Sequence, residues 1–233
     1  MIFRQLFDSE TFTYTYLLAD SQTREALLID TVKDNVPQYR VLLEQLDLTL
    51  KVVLDTHVHA DHITGAGELR DLCGCDTVLS AQTAAQCVSR RVSEGDTVTV
   101  GSIELKVIET PGHTDDSLCY YLEGNPGRLF TGDTLLIRGT GRTDFQNGNP
   151  HDQYQSLFQK LLKLPAETLV YPAHDYKGWT MSTLQEESLH NPRLQVGNEA
   201  EYVALMNNLN LPDPKFMDVA VPANLACGKQ AST

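Results

Sequence analysis

The chain reads as an α/β domain, and three features of its 233 residues predict that class. Short apolar runs with alternating character are interleaved with segments whose apolar residues recur every three to four positions. The order of strands followed by a helix occurs twice, so one domain spanning 1–233 is expected as two pseudo-repeated halves, roughly 1–110 and 111–233. Four of the strands run out directly into a His or an Asp, which is how a sheet edge acquires a site.

The first half opens with Phe12-Thr13-Tyr14-Thr15-Tyr16-Leu17-Leu18 and, after Asp20-Ser21, a second run from Arg24 to Ile29; together they predict a hairpin. Val36, Tyr39, Leu43 and Leu46 share one helical face, predicting a helix over 34–46. A strand from Leu50 to Asp55 then delivers Thr56-His57-Val58-His59-Ala60-Asp61-His62. Ile63, Ala66, Leu69 and Leu72 predict a helix stopped by Gly74, with Asp61 and His62 near its first turn. Short strands follow at Val78 to Ser80, Thr97 to Val100 and Ile103 to Ile108, the last leading into Thr110-Pro111-Gly112-His113.

In the second half, strands are expected at Leu118 to Leu122 and at Arg128 to Thr131, before Gly132-Asp133. Tyr154, Leu157, Phe158, Leu161 and Leu162 match helical spacing over 152–163, and Thr168 to Tyr171 forms a strand ending in Pro172-Ala173-His174-Asp175-Tyr176. Helices are expected at 180–189 and 198–208, the second opened by Asn198 with Glu201 in a capping box. The stretch from Leu211 to Thr233 reads as an irregular surface arm.

A formal charge of −13 argues against nucleic acid and anionic membranes as partners, because nothing would neutralise their phosphates. No stretch approaches the roughly 18 apolar residues of a membrane span, and the N-terminus carries no apolar signal region, so a cytoplasmic protein is expected. Five cysteines without a C-x-x-C pair suggest free thiols in a reducing compartment, with a structural role for Cys227.

Five of the seven histidines occupy strand-end loops, three of them in one heptapeptide. Residues two apart in an extended backbone point the same way, so His57 and His59 can address one point. His113, Asp133 and His174 join them only if their strands share a sheet. His151 and His190 lie outside any cluster and are read as surface residues. Imidazole and carboxylate donors without thiolate exclude a Cys-type structural zinc site and leave Zn, Fe or Mn, with positions open for chemistry.

The order H-x-H-x-D-H, then His113, Asp133 and His174, resembles the metallo-β-lactamase superfamily over nearly the whole chain. That resemblance implies an αβ/βα sandwich of two packed mixed sheets with helices on the outer faces. A closer likeness is carried by Phe3-Arg4-Gln5-Leu6-Phe7, Thr13 to Leu18, Ala60 to Gly65, Leu135 to Phe145, Tyr171 to Tyr176 and Val221-Pro222-Ala223-Asn224. These segments are similar to the persulfide dioxygenases of the ethylmalonic-encephalopathy protein type. The resemblance implies one Fe(II) per chain on His57, His113 and Asp133, with His59, Asp61, His62 and His174 around it. It implies glutathione persulfide and O2 as substrates and allows a homodimer. Arg138, Arg142 and Tyr176 are the expected substrate contacts, since Arg pairs with the two glutathione carboxylates.

The rival is a glyoxalase II-type hydroxyacylglutathione hydrolase with two metals. It would use His57, His59 and His113 for one, Asp61, His62 and His174 for the other, and Asp133 as bridge. Ligand types alone do not count metals. The Arg138 to Phe145 segment and the Ala173-His174-Asp175-Tyr176 form favour the dioxygenase. A non-catalytic metal or thiol sensor is disfavoured, because nothing supplies a partner module for it.

Overall fold

A computed structural model describes residues 1–209, 211–212 and 216–228. They fall into two compact units, one of residues 1–92, 98–104 and the C-terminal 216–228, the other of residues 93–97 and 105–212.

The first unit is built on a six-stranded sheet in sequential order: β1 (Ile2–Asp8), β2 (Thr13–Ala19), β3 (Glu25–Ile29), β4 (Thr49–Leu54), β5 (Asp76–Ser80) and β6 (Arg90–Val92). The β1–β2–β3 part is antiparallel, as expected of short hairpin connections. From β3 onward the pairing is parallel. Parallel neighbours need a crossover, supplied by α1 (Val36–Gln45) and then by α2 (Ala66–Cys73). The apolar faces of both helices meet the sheet in one core that includes Leu17, Leu28, Tyr39, Leu43, Val53 and Leu69. Each fully buried aliphatic side chain of this kind contributes about 2 kcal/mol. Gly74 ends α2 with φ +68°, the left-handed stop expected there.

Three expectations for this unit are corrected. The helix after the histidine loop starts at Ala66, later than Ile63, because its would-be first turn bonds elsewhere. Lys33 N donates to Ile63 O and Gly65 N to Thr31 O, which ties 63–65 to the chain leaving β3. The C-terminal stretch is no irregular arm over its described part: α6 (Met217–Leu225) is helical despite Pro222. Residues 213–215 and 229–233 of that expectation lie outside the described residues. Nor are all cysteines free, for Cys87 and Cys227 form a disulfide while Cys73, Cys75 and Cys119 are thiols. A separation of 140 residues hides that pairing from spacing arguments.

Strands β7 (Thr97–Val100) and β8 (Ile103–Glu109) come next in the chain. The second unit's sheet has the order β12-β11-β10-β9-β8, with β9 (Leu118–Leu122), β10 (Arg128–Gly132), β11 (Leu169–Pro172) and β12 (Ser182–Thr183). Only β10 and β11 run parallel. Their crossover carries α3 (Pro150–Tyr154), which continues through a π-helical stretch, Gln155–Lys160, and a 3-10 turn, Leu161–Lys163. With α4 (Leu184–His190) and α5 (Glu199–Asn207) it closes a core of Leu129, Leu157, Leu161, Val170, Leu184 and Tyr202. The expected capping box forms in part: Asn198 caps α5 by accepting from Glu201 N at 3.0 Å, while Glu201 reaches one residue past the cap and accepts from Gly197 N at 2.7 Å. The short strands β6 and β12 carry too few residues to show a period and were not expected.

The α/β class holds in both units. In each, a parallel strand pair sets two carboxyl ends side by side, where loops leaving the sheet can share a site.

Candidate metal centre

In the first unit, β3 leads directly into Asp30 and its parallel neighbour β4 into Asp55, with His57 two residues further. Asp30 organises the loop after β4. It accepts from Thr56 N (2.7 Å) and Thr56 Oγ1 (3.0 Å), and lies 3.1 Å from His59 Nε2. Since the Thr56 hydroxyl hydrogen goes to Asp30, its oxygen accepts from His57 Nδ1, 3.0 Å away. The neutral His57 ring therefore presents Nε2 as its donor atom, oriented by a hydrogen-bonded chain behind it.

His59 and His62 are buried, and the rings of His57, His59 and His62 form a row with centroids 4.2 and 4.4 Å apart. His62 Nδ1 lies 2.9 Å from Asp61 Oδ2. Two groups within this unit hold donor atoms within 4.8 Å of one another: His59, Asp61 and His62, and Asp30, Asp55 and His59. Charges are matched behind the loop. Burial pushes the Asp55 carboxyl up to about 6, against His59 and the Thr64 hydrogen bonds, which lower it. For His59 burial opposes the charge, but Asp30, Asp61 and Asp55 outweigh it and push the imidazole up to about 9.

In the second unit, β10 leads directly into Asp133 and its parallel neighbour β11 to His174. Asp133 Oδ1 accepts from His174 Nδ1 at 2.6 Å. The other oxygen, Oδ2, lies 3.6 Å from His113 Nε2. The carbonyl of Arg142 only accepts, so His113 Nδ1, 2.7 Å away, carries the hydrogen and Nε2 the lone pair. An imidazole nitrogen and a carboxylate oxygen are thus brought inside the roughly 4.2 Å that two metal bonds of about 2.1 Å can bridge. A backbone carbonyl behind the histidine and a histidine behind the carboxylate are the supports expected of metal ligands. The donor set and its bracing fit a divalent metal ion.

The Gly139-Thr140-Gly141 turn fits against this pair. A Cβ on Gly141 would lie 2.5 Å from Asp133 O and 2.7 Å from His113 Nδ1, so only glycine allows the approach. Gln153, buried in α3, donates to Gly141 O (3.2 Å) and accepts from Tyr202 OH (2.8 Å), bracing the turn from behind.

Arg142 is bidentate to Asp144 (2.6 and 2.7 Å), donates to Pro212 O (2.6 Å) and lies over the Phe145 ring. Arg138 is ion-paired with Glu186 and the fully buried Glu187. Both cations are therefore matched by carboxylates. Tyr176 is 66% exposed with its ring parallel to that of His174, centroids 6.3 Å apart. His151 pairs at the surface with Glu199 and His190 ends α4, both in line with their reading as surface residues.

Asp30, Asp55, Thr56, Thr64, Gln153 and Asn224 were not expected at the site. Asp30 and Asp55 each close an apolar strand, and that was the available signal. The others depend on contacts distant in the chain.

Residues 9–174 match the model of the metallo-beta-lactamase superfamily. The human "Persulfide dioxygenase ETHE1, mitochondrial" is 46% identical over 234 residues, covering all of this chain and 91% of the human protein. The crystal structure of ETHE1 from Myxococcus xanthus superposes with a TM-score of 0.95 at 54% identity, covering 98% of this chain and 100% of that one. A hydroxyacylglutathione hydrolase from Idiomarina loihiensis is 36% identical over 182 residues, covering 77% of this chain and 69% of its own. The likeness to the hydrolase thus leaves out about a quarter of this chain, whereas the likeness to the human dioxygenase covers all of it. The chain has the metallo-β-lactamase fold and belongs to the metallo-beta-lactamase superfamily, within it to the persulfide dioxygenases of the ETHE1 type.

Proposed function

We infer that the protein is a persulfide dioxygenase, an oxidoreductase converting glutathione persulfide, O2 and water to glutathione, sulfite and two protons. The observation that carries this is the identity of 46% to the human persulfide dioxygenase over the whole chain, joined to a braced His and carboxylate donor set. For the metal we propose one Fe(II) per chain, held by His57, His113 and Asp133. The support is their chemistry: two imidazole Nε2 atoms with ordered Nδ1 partners, and one carboxylate oxygen. Two His and one carboxylate suit a non-haem iron with open positions. When bound, Fe(II) would supply the redox chemistry toward O2.

The chain's own residues do the rest. Thr56 and the Arg142 carbonyl keep His57 and His113 in the tautomer that offers Nε2. His174 holds Asp133 through Oδ1, leaving Oδ2 turned toward His113. His59, Asp61 and His62 we propose as the groups that orient the loop around the metal. Arg138, Arg142 and Tyr176 are proposed to face glutathione. Asp144, half exposed and held below its usual range by Arg142, is a partner that a substrate carboxylate can exchange with. Arg142→Ala should therefore raise KM by about 10- to 100-fold, the worth of one charge-assisted pair, with little change in iron content.

The second reading, a two-metal hydroxyacylglutathione hydrolase, is favoured by one observation: His59, Asp61 and His62 by themselves bring three donor atoms together. Turnover separates the two. Oxygen uptake and sulfite formation with glutathione persulfide are expected; hydrolysis of S-lactoylglutathione without oxygen uptake would overturn the proposal.

No described helix is long and apolar enough to cross a membrane. A cytoplasmic location, absence of nucleic-acid and membrane partners, and a homodimer are proposed; support comes from the net charge of −13 for the second of these. Cell fractionation and light scattering test the other two.

A further inference from the structure

We infer that Asn224, on α6, is a positioning residue of the histidine loop, an inference that rests on the metal-centre reading above. After β4 the chain is in no strand, and apart from the bridge of Thr64 to Val32 its backbone groups need partners elsewhere. Asn224 supplies three of them. Its Nδ2 donates to His59 O and to His62 O, both at 2.8 Å, and its Oδ1 accepts from Thr64 N at 2.9 Å. Both amide hydrogens and the amide oxygen are used, in a side chain only 3% exposed.

No other residue type meets that pattern. Aspartate offers the acceptor for Thr64 but would set its second oxygen against two carbonyls. Glutamine is one methylene too long, and an aliphatic residue makes none of the three hydrogen bonds.

The helix presenting Asn224 is itself held by separate ties. Cys227 is disulfide-bonded to Cys87, its carbonyl accepts from Gly67 N at 3.1 Å, and Lys33 Nζ donates to Gly228 O at 2.7 Å. The backbones touch: a Cβ on Gly67 would lie 2.2 Å from Cys227 O, and one on Gly228 2.0 Å from Thr64 O. Asn224 is thus a fixed point that sets where the loop carrying His57, His59 and His62 runs. It touches that loop through the backbone, and its effect on the metal passes through the histidines.

The test compares wild type, Asn224→Asp and Lys33→Met, the last removing the side-chain tie to Gly228 O while keeping the backbone bond from Lys33 N to Ile63 O. Anaerobic Fe(II) titration against a chromogenic chelator reads affinity, and the visible spectrum of the Co(II)-loaded protein reads ligand geometry. Thermal melts of the metal-free proteins read stability. Asn224→Asp should bind Fe(II) at least tenfold more weakly and shift the Co(II) bands, while Lys33→Met lowers only the melting temperature. If Asn224→Asp behaves as Lys33→Met, with affinity and spectrum of the wild type, Asn224 merely anchors the helix and the inference is overturned. If wild type itself binds neither metal, it is the metal-centre reading that fails. Should Asn224→Asp not fold, Asn224→Ser carries the same measurements, with the same outcomes deciding.

Discussion

Replacing Thr64 by valine removes one hydroxyl from beneath the histidine loop and almost nothing else in shape. That hydroxyl lies 3.1 and 2.9 Å from the two oxygens of Asp55, which is buried. One hydrogen serves both oxygens, so the pair counts as a single hydrogen bond to a charged group, about 1.5–3 kcal/mol. The same oxygen accepts from Ala66 N at 3.2 Å, at the start of α2, a capping contact worth about 0.5–1 kcal/mol. Together they predict a loss of about 2–4 kcal/mol. The loss should depend on pH, because Thr64 stabilises the ionised form of a carboxyl already pushed up to about 6 by burial. Without the hydroxyl the folded variant holds that proton more tightly, so its deficit against wild type grows as pH rises through about 6. Urea unfolding of the metal-free proteins at about pH 5 and about pH 8 measures both quantities. A deficit below about 0.5 kcal/mol at both pH values, or a larger one on the acid side, would show that Thr64 does not hold the Asp55 carboxylate.

Gly141→Ala should weaken metal binding by about tenfold or more, since its Cβ collides with Asp133 O and His113 Nδ1; Gly139→Ala, whose Cβ meets only Leu136 at 3.9 Å, should not. Chelator competition on the two variants checks this. The metal-free protein should lose stability as pH rises, in two windows. Asp55 is raised from 3.8 to about 6, so its contribution is full below the lower value and lost by the upper. His59, raised from 6.5 to about 9, likewise stabilises below 6.5 and ceases to do so above about 9. Melting temperatures followed from about pH 5 to about pH 9.5 should fall through the second window, and Asp30→Asn should flatten that fall, because Asp30 is the chief charge raising His59.

Strands and helices with enough residues to show a period were legible: β9 spans Leu118–Leu122 and β7 Thr97–Val100 as the pattern predicted. The candidate donors were legible by position, because His57, His113, Asp133 and His174 each follow closely on the end of a strand. What was hidden is long-range. The helix start at Ala66 is set by hydrogen bonds to residues 31–33, which no local propensity records. α6 contains a proline and little amphipathic pattern, and its ties run to the histidine loop and to Cys87, far back in the chain. Arg138 and Arg142 were visible as charges, but the carboxylates that match them come from Glu186, Glu187 and Asp144, the first two some 48 residues further on.

A single iron on His57, His113 and Asp133 is open to direct counting of metal on anaerobically purified protein. About one iron per chain is expected in wild type, none retained in His57→Ala and a partial loss in His59→Ala. Two metals per chain, or equal loss in the two variants, would contradict the single-iron site and place His59 in a two-metal centre.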